Sequence, residues 1–355
     1  MDDADGYDYV LPAELIAQQG LEQRDQARLL VVHRESAAIE HRRIEELPDL
    51  LAAGDLLVAN DSRVVPARIL GRRAATGGRW EGLFLRQDPV SCDWQVLAQT
   101  RGRPLIGERV VLIDREGRDA IGLRLVGRGL GGTWLCRPEI EDPRSAADLI
   151  LERIGRVPLP GYIRGGDEQP GDIDRYQTVF ARQAGSAAAP TAGLHFTTGL
   201  LQALESRGVG RALVTLHVGI DTFRPITASR LDDHLMHSEW CECPAATADA
   251  ICRTKAGGGR VVAVGTTAVR TLETAALRAA SGEIAAWAGS TDLFIRPGWS
   301  FRAVDCMLTN FHMPRTTLMV LVTAFAGREL IRRAYDEAIR ERYRFLSYGD
   351  AMLIM

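Results

Sequence analysis

Short apolar segments separated by glycine-rich or charged turns follow one another between Val64 and Glu139, and none of them holds a helical period. They read RILGRR, RWEGLFLRQ, DWQVLAQT, ERVVLID, AIGLRLVGR and GTWLCRPE. Short strands joined by tight turns are typical of a small antiparallel barrel or sandwich. Asp142 and Pro143 then supply an N-cap and a first-turn proline, which predict a helix through SAADLILERI. The pattern predicts an inserted small β-barrel domain over residues 64–139.

After this block the hydrophobic pattern alternates between strand and helix periods. A helix from about Thr198, the strand ALVTLHVGI, a helix near 245–256, the strand RVVAVG and a helix from about Val269 follow one another. The strand-like runs TDLFIRP and DCMLTNFH then precede the apolar helix TTLMVLVTAFAG and the amphipathic helix RELIRRAYDEAIRERY. Such alternation is typical of the α/β class. We expect residues 1–63 and 140–355 to form one discontinuous α/β domain around the insert.

Composition sets wide limits on this organisation. The 355 residues are 46% hydrophobic, which is enough for a large core and a second domain. No apolar stretch approaches the span of a bilayer, and the acidic start MDDADGYDYV lacks the basic region of a signal peptide, so we expect a cytosolic protein. The scattered cysteines form no C-x-x-C pair and are interpreted as reduced thiols. Because no heptads are present, a monomer is expected.

The formal net charge of −3 gives no overall signature of nucleic-acid binding. The basic residues are nonetheless almost all arginine, with Lys255 the only lysine. Arginine forks onto phosphates and stacks on bases, so local arginine clusters are able to carry RNA binding without a basic pI.

The run AAAPTAGLHFT at 187–197 is the first candidate for chemistry. Small side chains and Gly193 let the backbone come close to a ligand, Pro190 fixes φ, and Thr191 lies between them. His195 supplies a group that moves protons near neutral pH. The alternative is a tight Gly/Pro loop whose histidine is only structural.

Three other turns offer similar chemistry where predicted strands end, which is where α/β folds usually place ligands. For His217 the alternative to a ligand-binding role is a histidine packed inside the sheet, and for Thr266 and Thr267 it is an ordinary helix cap. The helix N-terminus after Gly265 nevertheless suits an anionic or polar ligand. The residues at these turns are His217 and Gly219, then Gly265, Thr266 and Thr267, then Thr309, Asn310, Phe311 and His312, with Arg270 one turn into the helix.

A metal centre and the common nucleotide-binding loops are not predicted. His234, His237 and Glu239 lie together in HLMHSEW, but the spacing is not the i, i+4 pair of a zincin and no H-E-x-x-H occurs. The sequence also contains no G-x-x-x-x-G-K-[ST], and its match to G-x-G-x-x-G at 127–132 lies within the predicted β-barrel segment rather than between a strand and a helix.

Across nearly its whole length the sequence resembles the S-adenosylmethionine:tRNA ribosyltransferase-isomerases of queuosine biosynthesis. The order and spacing of the matching segments agree throughout. They are YDYVLPAELIAQ, GDLLVANDSRVVPARI, VPLPGYI, DRYQTVFA, AAAPTAGLHFT, VTLHVG, TFRPI, HLMHSEW, VGTTAVRTLE, TNFHMPRTTLMVLVTAFAG and YRFLSYGDAMLI.

The resemblance implies that S-adenosylmethionine is a co-substrate and donates its ribosyl group. The acceptor is the aminomethyl group of preQ1, a 7-deazaguanine at the wobble position of a tRNA, and the products are epoxyqueuosine, adenine and methionine. It implies no permanently bound cofactor, no metal and no obligate protein partner. It also implies an α/β-barrel-like main domain with a small β-barrel.

Within that chemistry the sulfonium acidifies the C5′ hydrogens of the donor, so a positioned base starts the reaction. We expect His195 or His217 to be this base and His312 to protonate the departing adenine. Glu239 or Asp305 would hold the sulfonium charge. The remaining donor-binding residues would be Thr191, Gly193, Gly219 and Gly265, with Thr266 and Thr267 at the amino-acid end.

For the tRNA, arginines are expected to contact phosphates and an aromatic ring to stack on the splayed-out base. The stacking candidates are Phe196 and Phe311, and the arginine candidates are Arg63, Arg68, Arg72, Arg73, Arg270 and Arg315. Two alternatives are a tRNA methyltransferase that uses S-adenosylmethionine and a non-catalytic tRNA-binding protein. The methyltransferase would normally show a glycine-rich loop after its first strand, and the second alternative leaves the histidines in polar turns unexplained.

The sequence departs from the usual pattern of this family at Gly20, Ala27, Asp221, Arg296 and Trp299. Asp221 matters most, because a carboxylate shortly after His217 would alter donor binding or raise the pKa of a neighbouring histidine.

Overall fold

The computed structural model describes residues 3–129, 132–142, 147–219, 225–280 and 282–355. Two compact units share the chain. The main unit contains residues 1–63, 160–165 and 175–355, and the barrel unit contains residues 64–159 and 166–174. In the barrel unit Arg68 and Arg156 exchange backbone hydrogen bonds of 3.1 and 2.7 Å, which ties the segment after residue 139 to the barrel strands.

The described residues form the following strands and α-helices, numbered in chain order. The strands are β1 (Arg28–Val32), β2 (Ile39–Arg43), β3 (Leu56–Asn60), β4 (Ser62–Val64), β5 (Arg68–Arg73), β6 (Arg79–Gln87), β7 (Trp94–Thr100), β8 (Arg109–Ile113), β9 (Asp119–Arg128), β10 (Trp134–Glu139), β11 (Gln183–Ser186), β12 (Gly210–Leu216), β13 (Glu239–Cys243), β14 (Val261–Val264), β15 (Trp287–Thr291), β16 (Cys306–Asn310) and β17 (Ala351–Ile354). The helices are α1 (Leu47–Leu50), α2 (Ala147–Ile154), α3 (Asp172–Arg175), α4 (Thr198–Ser206), α5 (Ala245–Ala256), α6 (Thr266–Arg278), α7 (Thr317–Ala326) and α8 (Arg328–Arg340).

The barrel unit is a closed antiparallel barrel in the order β10-β7-β6-β5-β8-β9. Trp80 and Trp94 are fully buried inside it. The predicted small antiparallel barrel is therefore confirmed, and its six strands coincide with the six apolar segments of the sequence. Helix α2 is present, but Pro143, the predicted first-turn proline, lies outside the described residues.

The main unit is built on a nine-stranded mixed sheet in the order β15-β13-β12-β3-β14-β16-β17-β1-β2. Strands β12, β3, β14 and β16 are parallel neighbours, so their carboxyl ends meet at one edge. The α/β class is confirmed, and the barrel-like main domain implied by the resemblance takes the form of this mixed sheet.

Both faces of the sheet are buried, which explains the continuous apolar runs of its central strands. On β3, Val58 packs in the cluster with α6, α7 and α8, whereas Leu57 and Ala59 pack with α1 and α4. This layered packing holds the ends of the strands in place. It therefore also positions the turns after these strands, which the sequence predicted to contain the functional site.

Two element predictions were wrong in detail. Helix α6 begins at Thr266 rather than near 269, because Gly265 at φ 87° turns the chain directly from strand into helix. The run TDLFIRP is not a strand beyond Thr291, whose hydroxyl accepts a hydrogen bond from the Leu293 N–H at 3.2 Å and so competes with strand pairing.

No helix among the described residues is long and apolar enough to cross a membrane. All six cysteines are free thiols.

Candidate functional site

The carboxyl ends of the parallel strands are fastened to each other by a buried asparagine. The Asn60 amide nitrogen donates to the Leu216 carbonyl at 2.9 Å, and its oxygen accepts from the Leu216 N–H at 3.1 Å. This bracket joins the ends of β3 and β12. The turns after β12, β14 and β16 thus begin from fixed points at the same edge of the sheet.

A cavity at the N-terminus of α6 brings together several of the predicted donor-binding residues. Thr191, Gly265, Thr266, Thr267 and His312 all line it. Helix α6 has no side-chain cap, so its first N–H groups face this cavity without a capping partner. The Thr267 hydroxyl is buried and has no hydrogen-bond partner among the described residues. These donors suit a carboxylate or another polar ligand group.

His195 ends the short 3-10 helix Thr191–His195 and is 5% exposed. The Asn310 amide nitrogen donates to its Nε2 at 3.1 Å, because that nitrogen also faces the Leu346 carbonyl at 3.1 Å. Nε2 is then an acceptor, and the ring proton belongs on Nδ1. Burial, helped by the Arg344 charge, lowers the pKa of His195 to about 4. The ring is neutral at pH 7, and its lone pair is engaged.

His312 lies just beyond the end of β16 and is also buried. Its Nε2 forms a 2.9 Å hydrogen bond with the Thr309 hydroxyl, and the backbone N–H of His312 donates to the Tyr335 hydroxyl at 3.0 Å. Burial lowers the pKa of His312 to about 3. This ring is therefore neutral at pH 7, so the residue is held as a hydrogen-bonding group rather than as an imidazolium.

His217 differs from the other two histidines because its Nδ1 is buried without a hydrogen-bond partner among the described residues. Its ring stacks on Trp240 with centroids 5.3 Å apart, and Gly185 leaves room for it. Burial lowers its pKa, while the charge of Asp61 acts in the opposite direction. Asp61 is bonded to the Thr215 hydroxyl at 2.7 Å, on the strand face that carries His217.

Glu239 and Arg270 form a buried ion pair, each side chain being 5% exposed. The other Glu239 oxygen accepts from the Gly219 N–H at 2.7 Å. The pair lies in the wall of a cleft of about 380 Å³ that is also lined by His234 and His237. In the described part of the chain, no group of three or more His, Cys, Asp or Glu side chains is arranged to hold a metal ion.

Asp305 is not near these groups, which corrects its expected role beside the sulfonium. It precedes β16, and its carboxylate accepts from the Val261 N–H at 2.8 Å where β14 begins. Both contacts lie at the amino end of the parallel strands, the opposite edge from the candidate site. Gly193 also has a packing role, since a Cβ there would lie 3.0 Å from the Thr178 methyl group.

The residues predicted to contact the tRNA differ in their exposure to solvent. Phe196 and Phe311 are fully buried in the core, so neither ring is open to stack on a base. Arg270 is buried against Glu239, and Arg68 is 8% exposed and donates to Glu81 at 2.7 Å. All four side chains are therefore buried rather than at the surface, which the sequence did not indicate because a hydrophobic pattern does not tell which side chains next to a strand end face inward.

The other arginine candidates are nearer the surface. Arg72 and Arg315 are ion-paired with Asp119 and Asp5. Arg73 donates to Glu108 at 2.8 Å in the barrel unit. Arg63 is partly buried within β4.

Sequence reasoning missed two residues of the site, Asp61 beside His217 and Trp240 beneath the His217 ring, and it named Asn310 without its pairing with His195. For Asp61 the signal was its place beside Asn60 at the end of an apolar strand. Trp240 and the pairing of Asn310 with His195 depend on long-range packing, which the sequence does not show.

Four of the five residues that depart from the family pattern lie in the described part of the chain. Gly20 and Ala27 line a small cavity with His195. Trp299 donates to Glu273 at 3.0 Å, and Arg296 donates to Asp232 at 2.6 Å. Asp221 lies outside the described residues.

Known proteins match this chain over nearly its whole length. The sequence model of the queuosine biosynthesis protein family covers residues 4–354. S-adenosylmethionine:tRNA ribosyltransferase-isomerases from Geobacter sulfurreducens and Symbiobacterium thermophilum are each 50% identical over 351 residues, 98% of both chains. The crystal structure of S-adenosylmethionine tRNA ribosyltransferase from Thermotoga maritima is similar with a TM-score of 0.56 and 37% identity, covering 99% of this chain and 100% of that one. The chain therefore belongs to the queuosine biosynthesis protein family.

Proposed function

We propose that this protein is an S-adenosylmethionine:tRNA ribosyltransferase-isomerase. It transfers and isomerises the ribosyl group of S-adenosylmethionine onto the aminomethyl group of preQ1 at the wobble position of a tRNA, giving epoxyqueuosine, adenine and methionine. The observation that carries the proposal is the 50% identity to enzymes of that name over 98% of both chains. No glycine-rich loop follows β1, β3 or β16 of the mixed sheet, which disfavours the methyltransferase alternative.

The cavity at the N-terminus of α6 is the proposed place for the amino-acid end of the donor. The uncapped N–H groups of Thr266 and Thr267 and the unpartnered Thr267 hydroxyl supply donors for its carboxylate. The positive end of the 13-residue helix adds a favourable field.

His217 is the proposed base at C5′. A general base needs an unprotonated nitrogen that is not already engaged, and Nδ1 of His217 has no partner among the described residues. The nearby Asp61 charge favours the imidazolium that forms when the proton is taken. His195, whose Nε2 accepts from Asn310, is better suited to hold the loop that carries Thr191.

His312 is proposed to hydrogen-bond the departing adenine. Because burial keeps its pKa near 3, the ring enters the reaction neutral and acts as a donor or relay rather than as a stored imidazolium. Glu239 is less suited to the sulfonium, since Arg270 already neutralises it. A closed site is required, because water would return a proton to the C5′ carbanion, an ylide beside the sulfonium, that forms when the base removes a proton.

The partly exposed arginines Arg63 and Arg315, together with Arg72, are the proposed phosphate contacts. Each phosphate neutralised by an arginine releases condensed counterions, so the logarithm of the affinity for the tRNA should fall linearly with the logarithm of salt concentration. Binding that does not depend on salt would exclude this role. We also propose that the protein is cytosolic and monomeric, and light scattering of the purified protein tests the oligomeric state.

The test of the activity is incubation of the protein with S-adenosylmethionine and tRNA that carries preQ1, followed by mass spectrometry of the products. Adenine, methionine and epoxyqueuosine in equal amounts are expected. Methylated tRNA with S-adenosylhomocysteine would instead establish a methyltransferase, and tRNA binding without turnover would contradict catalysis.

The base is tested by His217→Gln, which should slow adenine release by about 100-fold or more. His33→Gln is the matched control, because His33 pairs with Glu40 on the far edge of the sheet. Adenine release at the wild-type rate in His217→Gln would remove His217 from the mechanism.

A further inference from the structure

One nitrogen of the Arg270 guanidinium makes no hydrogen bond to the described residues. Nη1 pairs with Glu239, and Nε donates to the Leu293 carbonyl at 3.3 Å. Arg270 is only 4% exposed, and its Nη2 is buried with no hydrogen-bond partner among the described residues. A buried donor left without a partner is costly, and in native proteins it usually marks a place that a ligand or an ordered water fills.

Arg270 lies in the wall of a built cleft. The cleft has a volume of about 380 Å³, which is in the range of small-molecule sites. It is lined on the apolar side by Pro225, Leu235 and Met236, and it carries Asp233 on the polar side. Thr317 borders it, while its neighbour Leu318 lines the cavity at the N-terminus of α6, so the two spaces adjoin.

The charges around Nη2 select a neutral acceptor over an anion. Glu239 already compensates the guanidinium and Asp233 also lines the cleft, so an anion bound there would add a negative charge to a site that already carries acidic side chains. A ring carbonyl accepts the same hydrogen bond without that repulsion. Arginine donates in this way to O6 of guanine, whereas the 6-amino group of adenine is itself a donor and would oppose Nη2.

We propose that this cleft reads the target base, with Arg270 Nη2 donating to the 6-oxo group of the 7-deazaguanine. This inference rests on the proposed function for the identity of the base. The apolar wall then covers the ring once it has left the anticodon stack, and the donor lies next to it in the adjoining cavity. Arg270 would thus be a specificity residue for the acceptor rather than a phosphate contact.

The experiment compares the binding of anticodon stem-loop RNAs that differ only in the target base: preQ1, guanine or 2,6-diaminopurine. Without S-adenosylmethionine, wild-type protein should bind the two 6-oxo bases about 10- to 100-fold more tightly than the 6-amino base. Arg270→Lys keeps the charge and the pairing with Glu239 but removes the second nitrogen. It should lose this discrimination while binding S-adenosylmethionine as before.

Arg278→Lys on the exposed last turn of the same helix is the matched control and should discriminate like wild type. Equal binding of the 6-oxo and 6-amino RNAs by wild type would overturn the inference even if Arg270→Lys fails to fold. Loss of S-adenosylmethionine binding in Arg270→Lys, with base discrimination retained, would also overturn it. Ribosyl transfer is measured separately, so discrimination without turnover would contradict only the proposed function.

Discussion

The state of His195 is the prediction that the structure specifies in most detail. Its Nε2 accepts from Asn310 at 3.1 Å, so the neutral ring should carry its proton on Nδ1. Burial lowers its pKa to about 4, whereas an unfolded histidine titrates near 6.5. The folded protein therefore resists protonation of this ring across the whole interval between the two values.

This difference makes stability depend on pH with a definite sign. The contribution of His195 is fully present above about pH 6.5 and is lost as the pH falls towards 4, because the unfolded chain binds the proton first. Between pH 7 and 5 the loss amounts to about 2 kcal/mol, and over the full interval to about 3 kcal/mol. His312, with a pKa of about 3, acts in the same direction.

Long-range proton–nitrogen NMR spectra of protein labelled with ¹⁵N-histidine measure both properties, and His195→Gln assigns the signal. We expect the Nδ1–H tautomer at pH 7 and no protonation until well below pH 6. In urea titrations the variant should lose about 2 kcal/mol less than wild type between pH 7 and 5, while the two curves run parallel from pH 7 to 8. A His195 signal that titrates near pH 6.5, or an Nε2–H tautomer, would refute this account of the site.

Three further substitutions test the buried groups. Glu273→Gln should lower the free energy of unfolding by about 2–4 kcal/mol in urea titrations, because one oxygen of the fully buried carboxylate accepts from the Ala303 N–H at 2.9 Å and the other from the Trp299 Nε1–H at 3.0 Å, so the amide nitrogen would face a donor in either orientation. Unchanged stability would contradict the acceptor role of both oxygens. Asp305→Ala should cost about 1 kcal/mol by freeing the Val261 N–H and leave the calorimetric affinity for S-adenosylmethionine intact, so a large loss of affinity would restore its sequence-based role. Phe311→Ala should lower stability by about 3–5 kcal/mol with folded protein keeping its affinity for tRNA, whereas weaker tRNA binding at full stability would indicate base stacking.

The sequence by itself determined the elements whose patterns are local. The six barrel strands were predicted because each apolar segment is bounded by its own turn residues, and the α/β class followed from alternating periods. The family was also readable from the order of the matching segments. The turns at His217, Gly265 and His312 were marked as candidates because each follows an apolar run with small polar residues.

Only the tertiary structure decided how these turns are used. Whether Phe311 faces a ligand or the core, whether Arg270 is a surface cation or a buried partner of Glu239, and whether Asp305 lies at the site or at the opposite edge all depend on strand order and direction. Strand pairing joins residues far apart in the chain, and no local pattern encodes it. Burial then sets the chemistry, since the desolvation that lowers the pKa of His195 comes from packing around it.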